Sequence, residues 1–341
     1  MPMTYRAEEA WFPLSEDILS WDNKFHDLML NDELRMRAYE AAIKEVVRPG
    51  MIVVDLGTGT GVLALWALQA GAKMVYGIDV NEKPLKRAKK RIAEAGFVKK
   101  FEVFNALSYD VELPEKVDII ISEILGNLAD NEDIVRILND ARLRFLKPKG
   151  IMLPASTQTY LVPVCSKKLH NQVQNKDIKS ISGTYNFEKL IGQRRDGHPF
   201  NLYYDAIIPR STHLAKPQSV CAFNFDGSDN PEYRVMLHFP IVRDGLFTGF
   251  KGYFTAHLSK SVSLNISGDD IDRKQTSDCL KHCYLPIKTP FQVKKKDIIA
   301  LKYERLYPRE KVNSPFRQCY RWNGSVIRGG IEVYTFHQQL C

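Results

Sequence analysis

Apolar and polar positions follow three successive patterns along this chain. Up to about residue 45, Leu28, Met29, Leu34, Tyr39 and Ala42 recur at near-helical spacing, which predicts a helix with one buried face, and Arg48-Pro49-Gly50 closes the section. From Met51 the period shortens. Compact apolar runs at 51–56, 74–79, 101–104 and 117–122 alternate with helical stretches at 62–68 and 84–95. Such runs, bounded by turn residues, read as strands buried on both faces, and strand–helix–strand repetition implies a parallel, doubly wound α/β sheet of Rossmann-like type. Pro148-Lys149-Gly150 is expected to end the helix that follows the fourth strand.

Beyond Pro154 the segments become short and β-rich. Strands are predicted at 159–164, 220–225, 234–239, 253–258, 262–266 and 298–303, which points to an antiparallel barrel or sandwich. The polar stretch 166–215 reads as an arm, a lid or a dimerisation element. The expected organisation is therefore a helical segment over 1–45, a Rossmann-like unit over 46–153 and an antiparallel β-barrel-like unit over 154–341.

A chain of 341 residues can bury a substantial core. No run approaches the length of a membrane span, and the first residues carry Glu8 and Glu9 instead of a basic stretch followed by an apolar one. Six scattered cysteines read as reduced thiols, so the cytoplasm is the expected location and no membrane partner is expected. The net charge of +8 permits nucleic-acid contact, but its clusters, such as 86–91 and 294–296, fit solvated helix and turn faces.

Two sites carry candidate chemistry. Asp55-Leu56-Gly57-Thr58-Gly59-Thr60-Gly61 lies between a strand and a helix, where glycines let backbone approach a ligand, and Asp79 closes the next strand. The glycines are not spaced as in a dinucleotide fingerprint. The combination resembles the S-adenosylmethionine methyltransferase fold, with Asp79 holding ribose hydroxyls. Further along, Glu123 and Glu132 stand nine positions apart (132 − 123 = 9) in Ile121-Ser122-Glu123-Ile124-Leu125-Gly126-Asn127-Leu128-Ala129-Asp130-Asn131-Glu132. Two converging carboxylates suit a planar guanidinium with its fixed fork of donors.

Taken with His26-Asp27-Leu28-Met29-Leu30-Asn31-Asp32-Glu33-Leu34-Arg35 and the stretch from Leu113 to Glu123, these motifs resemble the protein arginine methyltransferase family, in particular divergent microbial members. The resemblance implies S-adenosyl-L-methionine as cofactor and S-adenosyl-L-homocysteine as product. It makes Glu123 and Glu132 the pair that orients the substrate guanidinium, with Asp32 in a polar relay beside them. Arg35 would meet the cofactor carboxylate and Met29 the methyl donor. The same resemblance places His26, Asp55, Gly57, Thr58 and Gly59 at the cofactor, with Val80, Ala106, Leu107 and Glu123 completing its surroundings. It also implies a homodimer, with 166–215 as the arm.

The chain departs from the family pattern in three places. The aromatic helix expected upstream is replaced by 16–25, in which Trp21 and Phe25 are the large apolar residues. Tyr109 stands where an adenine-binding acid is common. The loop lining the family's arginine pocket corresponds to Thr276-Ser277-Asp278-Cys279-Leu280-Lys281-His282-Cys283, where Asp278 or His282 takes the histidine's place. Cys279, His282 and Cys283 lack a fourth zinc ligand nearby, so no metal is expected.

The substrate is then an arginine-containing protein or peptide, or free L-arginine or another small guanidino metabolite. For the latter, Arg194, Arg195, Arg317 or Arg321 could clamp the α-carboxylate. The alternatives are a nucleic-acid or other small-molecule methyltransferase and a silent binding module. A base-modifying enzyme often carries an Asn/Asp-Pro-Pro-aromatic motif where this chain has Ser122-Glu123-Ile124-Leu125, which argues against nucleic acid.

Overall fold

The structure, a computed structural model, describes residues 5–16, 23–181, 186–194, 197–270, 275–309 and 317–341. Two helices, α1 (Asn23–Asn31) and α2 (Glu33–Val46), lead into the first unit. Asp32 caps α2, its carboxylate accepting the Arg35 amide at 3.3 Å, and Tyr39, Ala42 and Ile43 bury the helix face predicted from spacing.

There follow β1 (Ile52–Leu56), α3 (Val62–Gln69), β2 (Met74–Ile78), α4 (Glu82–Glu94), β3 (Phe101–Phe104), β4 (Val117–Ser122), α5 (Ile134–Phe145) and β5 (Leu146–Leu153). All five strands are parallel, in the order β3-β2-β1-β4-β5. The chain steps outward from β1 to β2 and β3, then returns to the other side of β1 as β4. At such a reversal the connecting loops diverge, leaving a crevice at the carboxyl ends of β1 and β4. Both candidate motifs begin there.

One expectation fails at β5. Pro148-Lys149-Gly150 was read as closing a helix, but α5 already ends at Phe145 and these residues lie inside the strand. Lys149 has φ 65°, and the pairing with β4 shifts register between Val117 and Ile119, so the turn-like composition marks an irregular strand.

The second unit contains β6 (Ser156–Val164), α6 (Lys167–Asn175), α7 (Phe187–Gly192), β7 (Tyr204–Ala206), β8 (Gln218–Phe223), β9 (Tyr233–Pro240), β10 (Gly245–His257), β11 (Ser263–Asn265), β12 (His282–Val293), β13 (Ile298–Leu306), β14 (Cys319–Arg328) and β15 (Ile331–Leu340). They form an antiparallel sheet ordered β7-β12-β10-β6-β8, with β11 beside β10, and a second ordered β15-β14-β13-β9. Phe239, Phe247, Phe250 and Phe336 meet between them, and the buried Trp322 donates its indole N–H to the Pro286 carbonyl at 2.7 Å. Of the described residues between 166 and 215, Leu169, Val173, Phe200, Leu202, Tyr203, Tyr204 and Leu214 are buried, and β7 pairs with β12. No described helix is long and apolar enough to cross a membrane.

The two units are joined through a buried charge cluster. Arg305 of β13 pairs with Asp133 at 2.8 Å and lies 3.9 Å from Asp130, while Tyr233 and Tyr320 donate their hydroxyls to Asp130 at 2.8 and 3.2 Å. Arg305, Asp130 and Asp133 are all shielded from water; Asp133 has a second cation in Arg136 at 2.6 Å, whereas Asp130 depends on the Arg305 guanidinium. Arg305→Met should therefore lower unfolding stability by about 3–5 kcal/mol in chemical denaturation, the usual cost of leaving a buried charge uncompensated. An unchanged midpoint would contradict this account of the joint.

Candidate active site

The loop after β1 is shaped by its own first residue. Asp55, buried under the turn, accepts the Thr58 hydroxyl at 2.6 Å and the Ala64 amide at 3.2 Å, closing the loop onto the start of α3. Burial pushes its carboxyl up to about 7 against those two donors. Gly57 sits at φ 70°, and a Cβ there would lie 2.9 Å from the Ile124 side chain, so a larger residue would strain the turn and press on the loop bearing Glu123. Asp79, at the end of β2, accepts the Gly59 and Asn81 amides at 2.8 Å each. Burial raises its pKa as well.

These elements enclose a cavity of about 170 Å³. His26, Met29 and Arg35 line it from the helices; Gly57, Thr58 and Gly59 from the glycine turn; Asp79, Val80, Ala106 and Leu107 from the ends of β2 and β3; and Glu123 from β4. Every residue assigned to the cofactor by resemblance borders this space except Asp55, which lies beneath the turn and shapes it. Tyr109 borders it too, with the Arg136 guanidinium 5.9 Å above its ring.

A smaller cavity adjoins the first. Met29, Arg35, Glu123 and Glu132 border both, and Leu14, Ser15, Phe25, Leu125, Asn127, Asp205, Cys279 and Leu280 complete the second. The two glutamates thus stand where a ligand in one space would meet a ligand in the other. Tyr39 donates to the Ser122 carbonyl at 3.0 Å and Ser122 to the Leu56 carbonyl at 3.1 Å, tying the strand end that carries Glu123 to α2 and β1.

Glu132 is presented differently, on a compact loop. Asn131 accepts the Leu128 amide at 2.9 Å and donates to Asn127 at 2.9 Å and to the Tyr203 hydroxyl at 3.2 Å; Asn127 in turn donates to Asp205 at 2.6 Å. Gly126 permits this folding, because a Cβ there would collide with the Asn131 side chain. The loop is thereby fastened to β7.

Arg35 forms an ion pair with Glu123 and donates to the Met29 carbonyl. Even so, burial pushes Glu123 up to about 7, and burial with the Glu123 charge beside it pushes Glu132 up to about 8. The pair titrates as a unit: the first ionisation makes the second harder. Buried Arg35 Nε and Glu123 Oε1 find no hydrogen-bond partner among the described residues, so the wall shared by the two cavities offers one donor and one acceptor to a ligand.

Asp32 stands behind Arg35, outside both cavities. It accepts the Ser277 hydroxyl, the Cys279 amide at 3.2 Å and the Cys279 thiol at 2.9 Å. The loop 275–281 therefore reaches the smaller cavity through Cys279 and Leu280 rather than through either residue implied by the resemblance. His282 is fully buried at the start of β12, where its Nδ1 accepts the Ile208 amide at 2.8 Å; it borders neither cavity. Asp278 lies at the outer turn, its carbonyl accepting the Lys281 ammonium at 2.7 Å, and borders neither cavity either.

The proposed anion clamps are also absent from the walls. Arg194 pairs with Glu16, Arg317 and Arg321 line neither space, and Arg195, like Trp21, lies outside the described residues. Among the described residues no group of three or more His, Cys, Asp or Glu side chains is arranged to hold a metal. Sequence reasoning assigned no role to Ser15, Asn127, Asn131, Asp205 or Cys279. Asn127 and Asn131 lie within the motif that drew attention to the glutamates; Asp205 had no local signal.

Comparison with known proteins bears on the family and the fold. Residues 37–155 match the family described as ribosomal protein L11 methyltransferase, and residues 156–322 match the PRMT5 oligomerisation domain. Protein arginine N-methyltransferase 1 of Dictyostelium discoideum is 31% identical over 243 residues, covering 69% of this chain and 68% of that protein. Protein arginine N-methyltransferase PRMT10 of Oryza sativa subsp. japonica is 37% identical over 153 residues, 44% of this chain but only 40% of the rice protein, so the match spans about two fifths of that relative's length. In structure, Arabidopsis thaliana protein arginine methyltransferase 10 superposes with a TM-score of 0.77 at 20% identity, covering 92% of this chain and 96% of the other. The Trypanosoma brucei PRMT1 enzyme-prozyme complex with AdoHcy gives 0.75 at 17%, covering 93% and 98%. At those identities the superpositions speak for the fold.

Proposed function

Because the chain belongs to the protein arginine N-methyltransferase family, we propose that it transfers a methyl group from S-adenosylmethionine to a guanidino nitrogen of arginine in a protein or peptide. The observation that carries this reading is the shared wall: Glu123 and Glu132 border both the larger cavity and the smaller one. The larger cavity suits the cofactor. Each Asp79 oxygen keeps acceptor capacity beyond its backbone bond for ribose hydroxyls, the glycine turn lets the ligand approach the backbone, and Arg35 offers a cation and a free N–H to a carboxylate. When bound, S-adenosylmethionine supplies an electrophilic methyl on a sulfonium and leaves as S-adenosylhomocysteine.

The chain's own residues do the rest. A guanidinium entering the smaller cavity meets two carboxylates fixed by separate scaffolds, Glu123 by the sheet and Glu132 by the loop on β7, which restrict its orientation and hold one nitrogen at the shared wall. The cation lowers both raised pKa values, so the pair becomes anionic as substrate binds and can draw positive charge away from the attacking nitrogen. An arginine side chain remains protonated at neutral pH, so one proton must leave as the N–C bond forms, and the buried acids are its first acceptors.

Peptide arginine is favoured over free L-arginine by the charge of the smaller cavity. Asp205 adds a third carboxylate, its pKa raised to about 7 by burial, and a free α-carboxylate would meet three acids there against one cation, Arg35, which is already paired with Glu123. A nucleic-acid acceptor is disfavoured by the smaller cavity, whose one aromatic among the described residues, Phe25, is buried and offers no stacking face to a base. Self-association is part of the proposal, supported by the oligomerisation-domain match.

With labelled S-adenosylmethionine, an arginine peptide should become methylated and free arginine should not. Glu123→Gln and Glu132→Gln should each lower kcat by about a hundredfold or more, the scale for losing one transition-state contact, while Glu132→Gln still binds S-adenosylhomocysteine. For the parent protein, kcat/KM should rise with pH through about 7 to 8 as the two acids lose their protons. Full activity in either glutamine variant would refute the reading. Sedimentation should find a dimer, and a single monomeric species at micromolar concentration would remove self-association from it.

A further inference from the structure

Residues 5–16 form a strap that reaches the acceptor end of the site. Its backbone pairs with β7, the Trp11 amide donating to the Asp205 carbonyl at 2.8 Å and the Asp205 amide to the Trp11 carbonyl at 3.2 Å. On its other side the Phe12 amide donates to the Lys179 carbonyl at 2.7 Å. The buried Lys281 ammonium lies 4.0 Å from the Tyr5 ring centroid and 5.2 Å from that of Trp11, clamping the start of the strap by cation–π contact. At the far end Glu16 pairs with Arg194, and between these anchors Ala10, Trp11, Phe12 and Leu14 are buried. Leu14 and Ser15 are thus held in place on the wall of the smaller cavity, and the Ser15 hydroxyl donates to Glu132 Oε1 at 3.0 Å.

We propose that Ser15 is a positioning residue for methyl transfer: its hydroxyl aims the Glu132 carboxylate into the guanidinium cavity, and the strap that carries it forms part of that cavity's wall. This rests on the proposed function. Glu132 is surrounded by influences that oppose its charge, namely burial, Glu123 and Asp205, and the Ser15 hydrogen bond works in the other direction together with Arg35. A hydroxyl that donates to a carboxylate also removes rotational freedom from it, and the rigid strap transmits that constraint from β7 and Arg194 to the acid.

Ser15→Ala and Ser15→Thr separate this role from packing. In Ser15→Ala, kcat/KM for an arginine peptide should fall about tenfold or more, as expected for one hydrogen bond to a charged group. The acidic limb of its pH profile should move to higher pH, because the Glu132 carboxyl loses a donor that favours ionisation. Ser15→Thr should restore most of both, and affinity for S-adenosylhomocysteine should stay within about twofold, since Ser15 does not border the larger cavity. Independently of turnover, the ¹³C carboxyl shift of Glu132 in isotope-labelled protein should titrate at higher pH in Ser15→Ala than in the parent. A lowered melting temperature with an unmoved limb and an unmoved titration would mean that Ser15 only packs, and would overturn the inference. If the parent protein methylates no arginine peptide, the proposed function fails, and the carboxyl titration still decides whether Ser15 governs Glu132.

Discussion

Two carboxylates withdrawn from water beside one another cannot both hold charge unless a cation is near, and the design of this protein follows from that constraint. Glu123 has Arg35 as its resident cation, and Glu132 has a hydroxyl and the more distant field of the same guanidinium. The ligand-free pair therefore sits close to its protonation midpoint near neutrality. A guanidinium is the side-chain cation whose planar donor fork can satisfy both acids at once. In the proposed function, selectivity for arginine arises from an unsatisfied electrostatic demand built into the cavity, more than from its shape.

Meeting that demand requires the two acids to be fixed independently. The parallel sheet carries Glu123 at its switch point, where the ends of β1 and β4 are tied by the Ser122 hydroxyl and by Tyr39 of α2. The second unit fixes Glu132 through Asn131, Asn127 and Asp205, while Arg305 grips Asp130 and Asp133 on either side of it. Either unit alone would leave one acid adrift. The antiparallel unit thus helps to build the candidate site.

Much of this was legible in the chain because periodicity and motif were local. The strands at 52–56, 74–78, 101–104 and 117–122 announce themselves as short apolar runs, and the glycine turn, Asp79 and the two glutamates fall at predictable ends of those strands. What escaped notice was non-local or disguised. β12, not among the strands predicted from the sequence, contains Pro286 and Pro290, and Pro286 sits where β10 shifts register between Phe247 and Gly249, so the strand tolerates a missing donor. β14 contains Asn323-Gly324, a hairpin composition, but Gly324 lies mid-strand because a Cβ would strike the Ala300 carbonyl. The resemblance offers His282 or Asp278 for the pocket, and His282 is a strand residue holding Ile208. Ser15 and Asp205 are 190 positions apart in sequence (205 − 15 = 190), and nothing in the local pattern of either foretells that both border the same cavity.

The central claim is that the empty acid pair is partly protonated and that a guanidinium discharges it. Calorimetric titration of an arginine peptide into the protein saturated with S-adenosylhomocysteine, at pH 7 in two buffers of different ionisation enthalpy, tests this directly. Net proton release should accompany binding and should shrink in Glu132→Gln. Binding with no proton exchange between pH 6 and pH 9 would contradict the account.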